Sequence, residues 1–89
     1  MVQKTAIVKS TNGLHARNAA QISSYSNSLP DTQVKIRDPR TNEEADAKSI
    51  LSLLLLEKLQ GTELVVEAEG QKEKEAVTRI TKILNTFDI

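Results

Sequence analysis

The chain has 89 residues, of which 38% are hydrophobic and 27% are charged, as expected for one soluble globular domain with a single core. It contains no cysteine and one histidine, which excludes a disulfide scaffold, a thiolate nucleophile, and a metal site built on sulfur or on several histidines. The 12 basic and 12 acidic residues balance, so charge does not favour a nucleic acid or an anionic membrane as partner. We expect no cofactor and no metal ion.

The N-terminus, MVQKTAIVKS, lacks a charged leader followed by a long apolar stretch, so no secretory signal is predicted. The densest apolar stretch, Ile50 to Leu56, is far shorter than the ~20 residues of a membrane-spanning helix. We therefore expect one cytoplasmic domain over residues 1–89, without insertion into a membrane.

The first half of the chain predicts a strand, a turn and a helix. Val2 to Lys9 alternates as a strand does, and the turn residues 10–13 end it. A helix is predicted from Ala16 to about Ser28, because no Gly or Pro interrupts it and Pro30 would clash with the turn before it. The predicted inward residues are Ala6, Val8, Ala19, Ile22 and Ser26.

A hairpin and a short helix follow. Gln33 to Arg37 alternates as a half-buried strand, residues 38–42 form a turn, and Glu43 to Ala47 returns as a short strand with inward alanines. Ser49 is a good N-cap for a leucine-rich helix from Ile50 to about Leu56. Inward residues predicted here are Val34, Ile36, Ile50, Leu53 and Leu54.

The last part predicts a strand and a helix. Gly61 breaks the chain, and Thr62 to Glu69 alternates as a strand. Gly70 is expected to open a helix from Gln71 to about Asn85. The apolar residues of these two elements are Leu64, Val66, Ala68, Val77, Ile80, Ile83, Leu84 and Phe87. The order is β-α-β-β-α-β-α, which favours an α+β open-faced sandwich, with a four-stranded antiparallel sheet and three helices on one face.

The single histidine, His15, lies where a turn meets the predicted start of a helix. Backbone amides in a first helical turn lack intrahelical partners, and with the helix dipole they favour an anion. A neutral imidazole is available as a nucleophile toward a phosphoryl group at neutral pH. The amides of Ala16 and Arg17 and the Arg17 guanidinium could then bind its oxygens. An ordinary surface histidine beside an arginine is the alternative.

Ser49 and the leucine stretch are each open to two interpretations. Ser49 is at least an N-cap, and its position before a helix also suggests a regulatory phosphorylation site, where a phosphate would add a charge of about −2. The leucines exceed what one buried face of a short helix holds. The surplus predicts a protein-docking surface, or alternatively a contact with the sheet edge or a second copy.

Taken together, these segments resemble the HPr family of phosphocarrier proteins. That family's phosphohistidine motif is Gly, an aliphatic residue, His, a small residue and Arg, usually followed by Pro and Ala. Residues 13–21 read GLHARNAAQ, residues 47–51 read AKSIL as in the family's serine region, and LQGT at 59–62 and AEG at 68–70 follow in order. The resemblance runs over nearly the whole chain.

The resemblance implies a site and a set of partners. His15 would accept a phosphoryl group from enzyme I, with phosphoenolpyruvate as ultimate donor, and pass it to IIA components of sugar permeases, while Arg17 contacts the phosphate. Ser49 would match the site of HPr kinase/phosphorylase, with a catabolite-control transcription factor as a further partner. The implied docking residues are Leu14, Ala20, Ile50, Leu51 and Leu54.

Two residues depart from the family pattern. Asn18 replaces the usual proline just inside the first helix, which removes rigidity but adds a side chain that could bond nearby backbone or phosphate. Glu57 replaces a common glycine, which predicts another helical turn and a negative charge near the docking face. Both changes concern the choice of partner.

Four functions are compared on this basis. A sugar-branch phosphocarrier is preferred, and a nitrogen-branch or paralogous carrier acting on non-permease partners shares its chemistry. A regulatory module acting only through phosphorylated Ser49 would not need His15 and Arg17. An RNA-binding βαββαβ domain is disfavoured, because Tyr25 and Phe87 are not on predicted strands and the chain is not basic.

Overall fold

A computed structural model of the chain describes residues 1–86, and its element order is the predicted one. The elements are β1 (Val2–Ile7), α1 (Ala16–Asn27), β2 (Thr32–Arg37), β3 (Glu44–Asp46), α2 (Ile50–Leu55), β4 (Glu63–Gly70) and α3 (Glu73–Leu84). Over residues 1–86 the strands form one sheet of four in the order β1-β4-β2-β3, and every neighbouring pair is antiparallel. The predicted open-faced sandwich is confirmed.

The core lies between the sheet and the helices. Alternation along β2 buries Val34 and Ile36 and leaves Gln33 and Lys35 exposed, because successive strand side chains point to opposite faces. The predicted inward residues of the other strands and of α1 are buried as well: Ala6, Val8, Ala19, Ile22, Ser26, Ala45, Ala47, Leu64, Val66 and Ala68. No helix within residues 1–86 has both the length and the apolar character needed to cross a bilayer.

The start of the last helix differs from the prediction. Gly70 does not open a helix; it is the final residue of β4 and pairs with Thr32. The helix begins at Glu73, whose carboxylate accepts from the Gly70 amide at 3.1 Å. The strand therefore runs further than Glu69 because β2 supplies a partner for it. Val77, Ile80 and Leu84 are buried as the stripe predicts, and Phe87 lies outside the described residues.

Helix α2 corrects two further predictions. Ile50 is 43% exposed, whereas Leu53 is fully buried and Leu56 is 6% exposed, so Leu56 and not Ile50 belongs to the core. Glu57 does not continue the helix, because its φ of 51° is left-handed and turns the chain away. The helix ends at Leu55, and the next residue, Leu56, packs into the core.

Candidate functional site

His15 is the N-cap of α1, with an extended backbone and a half-buried side chain. Its Nδ1 accepts a hydrogen bond from the Arg17 amide at 3.2 Å, and its Nε2 lies 3.2 Å from the hydroxyl of the buried Ser10. A backbone amide can only donate, so Nδ1 carries a lone pair and the proton of the neutral ring is on Nε2. Nδ1 is thus the ring nitrogen with an available lone pair, and it faces the amide end of the helix.

Asn18, the departure from the family's proline, bonds two backbone groups of the loop that leads into His15. Its side chain is 1% exposed. Its Oδ1 accepts from the His15 amide at 2.8 Å, and its Nδ2 donates to the Gly13 carbonyl at 3.0 Å. Of the two possibilities left by the sequence, backbone or phosphate, the structure selects backbone. Asn18 therefore holds the histidine loop by hydrogen bonds where a proline would restrict only φ.

Gly13 brings the histidine loop into contact with the segment after α2. Its φ is 71°, a region that glycine adopts without steric cost. A Cβ at this position would overlap the Lys58 carbonyl oxygen and lie 3.0 Å from the Leu59 Cα. That same carbonyl accepts from the Leu14 amide at 2.9 Å. The loop is thus fixed by Asn18 on one side and by residue 58 on the other.

The start of α1 can bind an anion beside Nδ1. The amides of Ala16 and Arg17 belong to the first helical turn, which contains no acidic residue and whose amides lack intrahelical acceptors. The Arg17 side chain is exposed, and within residues 1–86 no hydrogen bond or ion pair holds its guanidinium. Within the described part of the chain, the Ala16 amide and the Arg17 guanidinium are therefore unpaired next to His15, whereas the Arg17 amide is held by Nδ1.

The expected docking residues divide into exposed and buried positions. Ile50 and Leu51 are 43% and 67% exposed, Ala20 is exposed, and Leu54 is half-buried. Leu14 is 5% exposed and belongs to the core, so it offers no docking surface; the Lys58 carbonyl holds its backbone and turns the side chain inward. Four of the five residues therefore remain on an accessible surface.

Two further exposed leucines were not among the expected docking residues. Leu55 is 68% exposed and Leu59 is 74% exposed. Leu55 could have been found, because it follows Leu51 by four residues and so shares its helix face. Leu59 lies outside regular structure, and only its contact with Gly13 places it beside the histidine loop. We call Ile50, Leu51, Leu55 and Leu59 the leucine surface.

Ser49 caps α2 as predicted, but it is not at the histidine site. Its hydroxyl accepts from the Ser52 amide at 3.1 Å. The carbonyl of the preceding Lys48 accepts from Ser23 and from Asn27, each at 2.9 Å. Ser49 therefore lies against the later turns of α1, roughly 12 Å along that helix from its His15 end at 1.5 Å per residue.

Sequence reasoning also missed an ion cluster behind the histidine loop. Lys58 Nζ lies 2.6 Å from Glu43 Oε1 and 3.0 Å from Asp38 Oδ2. Hydrogen bonds to Glu43 and Asp38 raise the pKa of Lys58. A hydrogen bond from the Arg40 amide and another from Lys58 lower the pKa of Asp38, and bonds from Lys58 and Thr41 lower the pKa of Glu43. All three groups are therefore charged at neutral pH. No sequence signal links these segments.

Comparison with known proteins gives matches over nearly the full length. The profile of the family described as "PTS HPr component phosphorylation site" matches residues 2–86. Phosphocarrier protein NPr of Escherichia coli is 32% identical over 88 residues, covering 98% of this chain and 96% of that protein. Phosphocarrier protein HPr of Borreliella burgdorferi is 31% identical over 87 residues, covering 98% of each. The crystal structure of HPr-C-His from Thermoanaerobacter tengcongensis superposes with a TM-score of 0.85 at 30% identity, covering 94% of this chain and 91% of that one.

Proposed function

The chain belongs to the HPr family of phosphocarrier proteins, and we propose that it carries its phosphoryl group on Nδ1 of His15. The observation that supports this assignment is the hydrogen bond from the Arg17 amide to Nδ1. That bond leaves the lone pair on Nδ1 and points it at the anion-binding end of α1.

The proposed transfer is a displacement at phosphorus. The Nδ1 lone pair forms the new N–P bond while the bond from phosphorus to the donor atom breaks, and the donor keeps that electron pair. The proton stays on Nε2, and this N–H donates a hydrogen bond to the Ser10 hydroxyl oxygen. Because the phosphoryl group takes the lone pair, the Arg17 amide is released to bind a phosphoryl oxygen, as the Ala16 amide can also do.

We propose enzyme I, charged from phosphoenolpyruvate, as donor and IIA components of sugar permeases as acceptors, with all of these steps in the cytoplasm. Ala20, Leu54 and the leucine surface would form the docking face for both. Exposed apolar side chains next to a reactive group are typical of a transient protein contact. The chain would be a carrier in this sequence, with the two partners supplying the catalysis of each transfer.

The direct test is incubation with purified enzyme I and phosphoenolpyruvate, followed by intact-mass measurement. We expect a single phosphoryl adduct that is lost in acid, is stable in base, and maps to His15. An adduct on a hydroxyl side chain, or no adduct under conditions where an authentic HPr is phosphorylated, would overturn the proposal.

A nitrogen-branch carrier remains the second candidate, because the relatives named NPr and HPr are 32% and 31% identical to this chain. Its acceptor would be a regulatory IIA protein in place of a permease component. Parallel transfer assays from the phosphorylated chain to one acceptor of each kind decide between them. A higher kcat/KM toward the regulatory acceptor would select this second function.

Substitution of Arg17 by alanine is expected to slow phosphoryl transfer roughly tenfold, the loss of one exposed charge-assisted contact in the transition state. The circular dichroism spectrum and the urea midpoint should not change, because no bond within residues 1–86 depends on the guanidinium. Arg17→Lys is the matched variant and should recover part of the rate. Equal rates for the parent and Arg17→Ala would remove this side chain from the site.

We propose Ser49 as a second, regulatory phosphorylation site for an HPr kinase/phosphorylase, with binding to a catabolite-control transcription factor as the consequence. Its half-buried hydroxyl lies at the end of the leucine surface next to Ile50. A phosphate there would add a charge of about −2 to an apolar docking face and weaken docking.

With kinase and ATP, the Ser49→Ala variant should take no label and should lose about 1 kcal/mol of stability as an N-cap. Ser52→Ala is the matched control and should be labelled like the parent. Labelling that persists in Ser49→Ala would assign the modification to another residue.

A further inference from the structure

The Lys58 side chain is buried against the turn between β2 and β3, although the residue itself lies outside regular structure. It is 12% exposed, compared with 3% for Asp38 and 51% for Glu43. A lysine is rarely this buried unless it is paired. Here two carboxylates satisfy its charge, so the side chain has one well-defined position.

The turn that holds Lys58 is itself rigid. The Asp38 amide donates to the Glu43 carbonyl and the Asn42 amide donates to the Asp38 carbonyl, each at 2.8 Å. The second Asp38 carboxylate oxygen accepts from the Arg40 amide at 2.9 Å. Because β2 and β3 are paired in the sheet, the two carboxylates are anchored to the core framework.

The backbone of Lys58 meets the histidine loop directly. Its carbonyl accepts from the Leu14 amide at 2.9 Å, and the Gly13 Cα packs against it so closely that a side chain there would overlap it. Leu14 precedes His15. A shift of the residue 58 backbone would therefore move Leu14 and, with it, the position of the His15 side chain.

We propose that Lys58, held by Asp38 and Glu43, is a positioning residue for His15: the ion pairs lock the carbonyl that fixes the phosphohistidine loop. This inference rests on the proposed function and adds a distant part of the fold to it. Neither carboxylate touches the reacting atoms, so the effect is on the orientation of the nucleophile, to which transfer rates are sensitive.

The test compares Lys58→Met with the matched control Lys35→Met, whose parent side chain makes an exposed pair with Glu44 at 3.5 Å. Amide hydrogen exchange is followed at Leu14 and at Val8, whose amide donates to Thr62 at 2.9 Å. In Lys58→Met, the Leu14 amide should exchange about tenfold faster relative to the Val8 amide, because a local contact is lost while the whole fold is kept. Lys35→Met should leave that ratio unchanged.

Phosphoryl transfer from enzyme I is measured on the same proteins. Lys58→Met should lower kcat about fivefold with KM unchanged, since the docking residues are intact. Lys58→Arg should recover both the exchange ratio and kcat. Lys58→Met could fail to fold because the buried Asp38 carboxylate loses its lysine partner. In that case two variants replace it, Glu43→Gln and the double variant Asp38→Asn/Lys58→Met, with the same expected direction.

An unchanged exchange ratio, or equal acceleration at Leu14 and Val8, would overturn the proposal. So would selective loosening of Leu14 with normal kcat, because the loop would then be held without any effect on His15. If the parent protein takes no phosphoryl group at all, the proposed function fails instead. The exchange ratio and the His15 ring ¹⁵N shifts would then still decide whether Lys58 positions the imidazole.

Discussion

Replacement of His15 by alanine is expected to abolish the phosphoryl adduct completely while the fold remains. The substitution removes the Nδ1 lone pair, and within residues 1–86 there is no second imidazole and no thiol to replace it. It also removes the helix cap that accepts from the Arg17 amide, which should cost about 1 kcal/mol of stability. Intact-mass measurement after incubation with enzyme I and phosphoenolpyruvate gives the first result, and urea unfolding gives the second.

His15→Asn separates the two roles of this residue. Asparagine is a good N-cap but has no nucleophilic ring nitrogen, so stability should return toward that of the parent while the adduct stays absent. A phosphorylated His15→Ala protein would contradict the central assignment. A large stability loss in both variants would show that the imidazole is needed for the fold beyond its capping bond.

Replacement of Asn18 by alanine is expected to be the most destabilising change at the site, by about 2–3 kcal/mol. It leaves the partly buried His15 amide and the buried Gly13 carbonyl without their partners, and each group left unsatisfied away from water is costly. The loop would loosen, so transfer from enzyme I should also slow. Urea unfolding and the initial rate of phosphorylation measure the two effects.

The matched control is Asn27→Ala in the same helix. Asn27 also donates to backbone carbonyls, those of Ser23 and Lys48, but it is exposed. Water can therefore replace its bonds, and the loss should be below about 1 kcal/mol. Asn18→Pro restores the family's residue and should recover rigidity without the two bonds. Equal losses for Asn18→Ala and Asn27→Ala would show that Asn18 does not hold the loop.

The element order could be predicted from the sequence because the signals are local. Alternation marks strands such as β2, helical spacing marks α1, and Ser49 marks the start of α2 through its own hydroxyl. The errors fall where the outcome depends on a partner. Gly70 ends β4 because β2 pairs with it. The exposure of Ile50 could not be predicted, because in a helix as short as α2 the spacing of apolar residues does not single out one buried face.

What the sequence by itself determined is the βαββαβα order and the placement of His15 and Arg17 at the start of a helix, since both follow from neighbouring residues. Only the tertiary structure decided that the Ser10 hydroxyl lies at Nε2 of the ring, what Asn18 bonds, and how Lys58 reaches the histidine loop. Those features depend on atoms that become neighbours when separate segments fold together: Ser10 beside the ring, and the Asp38 turn beside residue 58. Hydrogen bonds and ion pairs act over a few ångströms in space, and no spacing along the chain encodes that proximity.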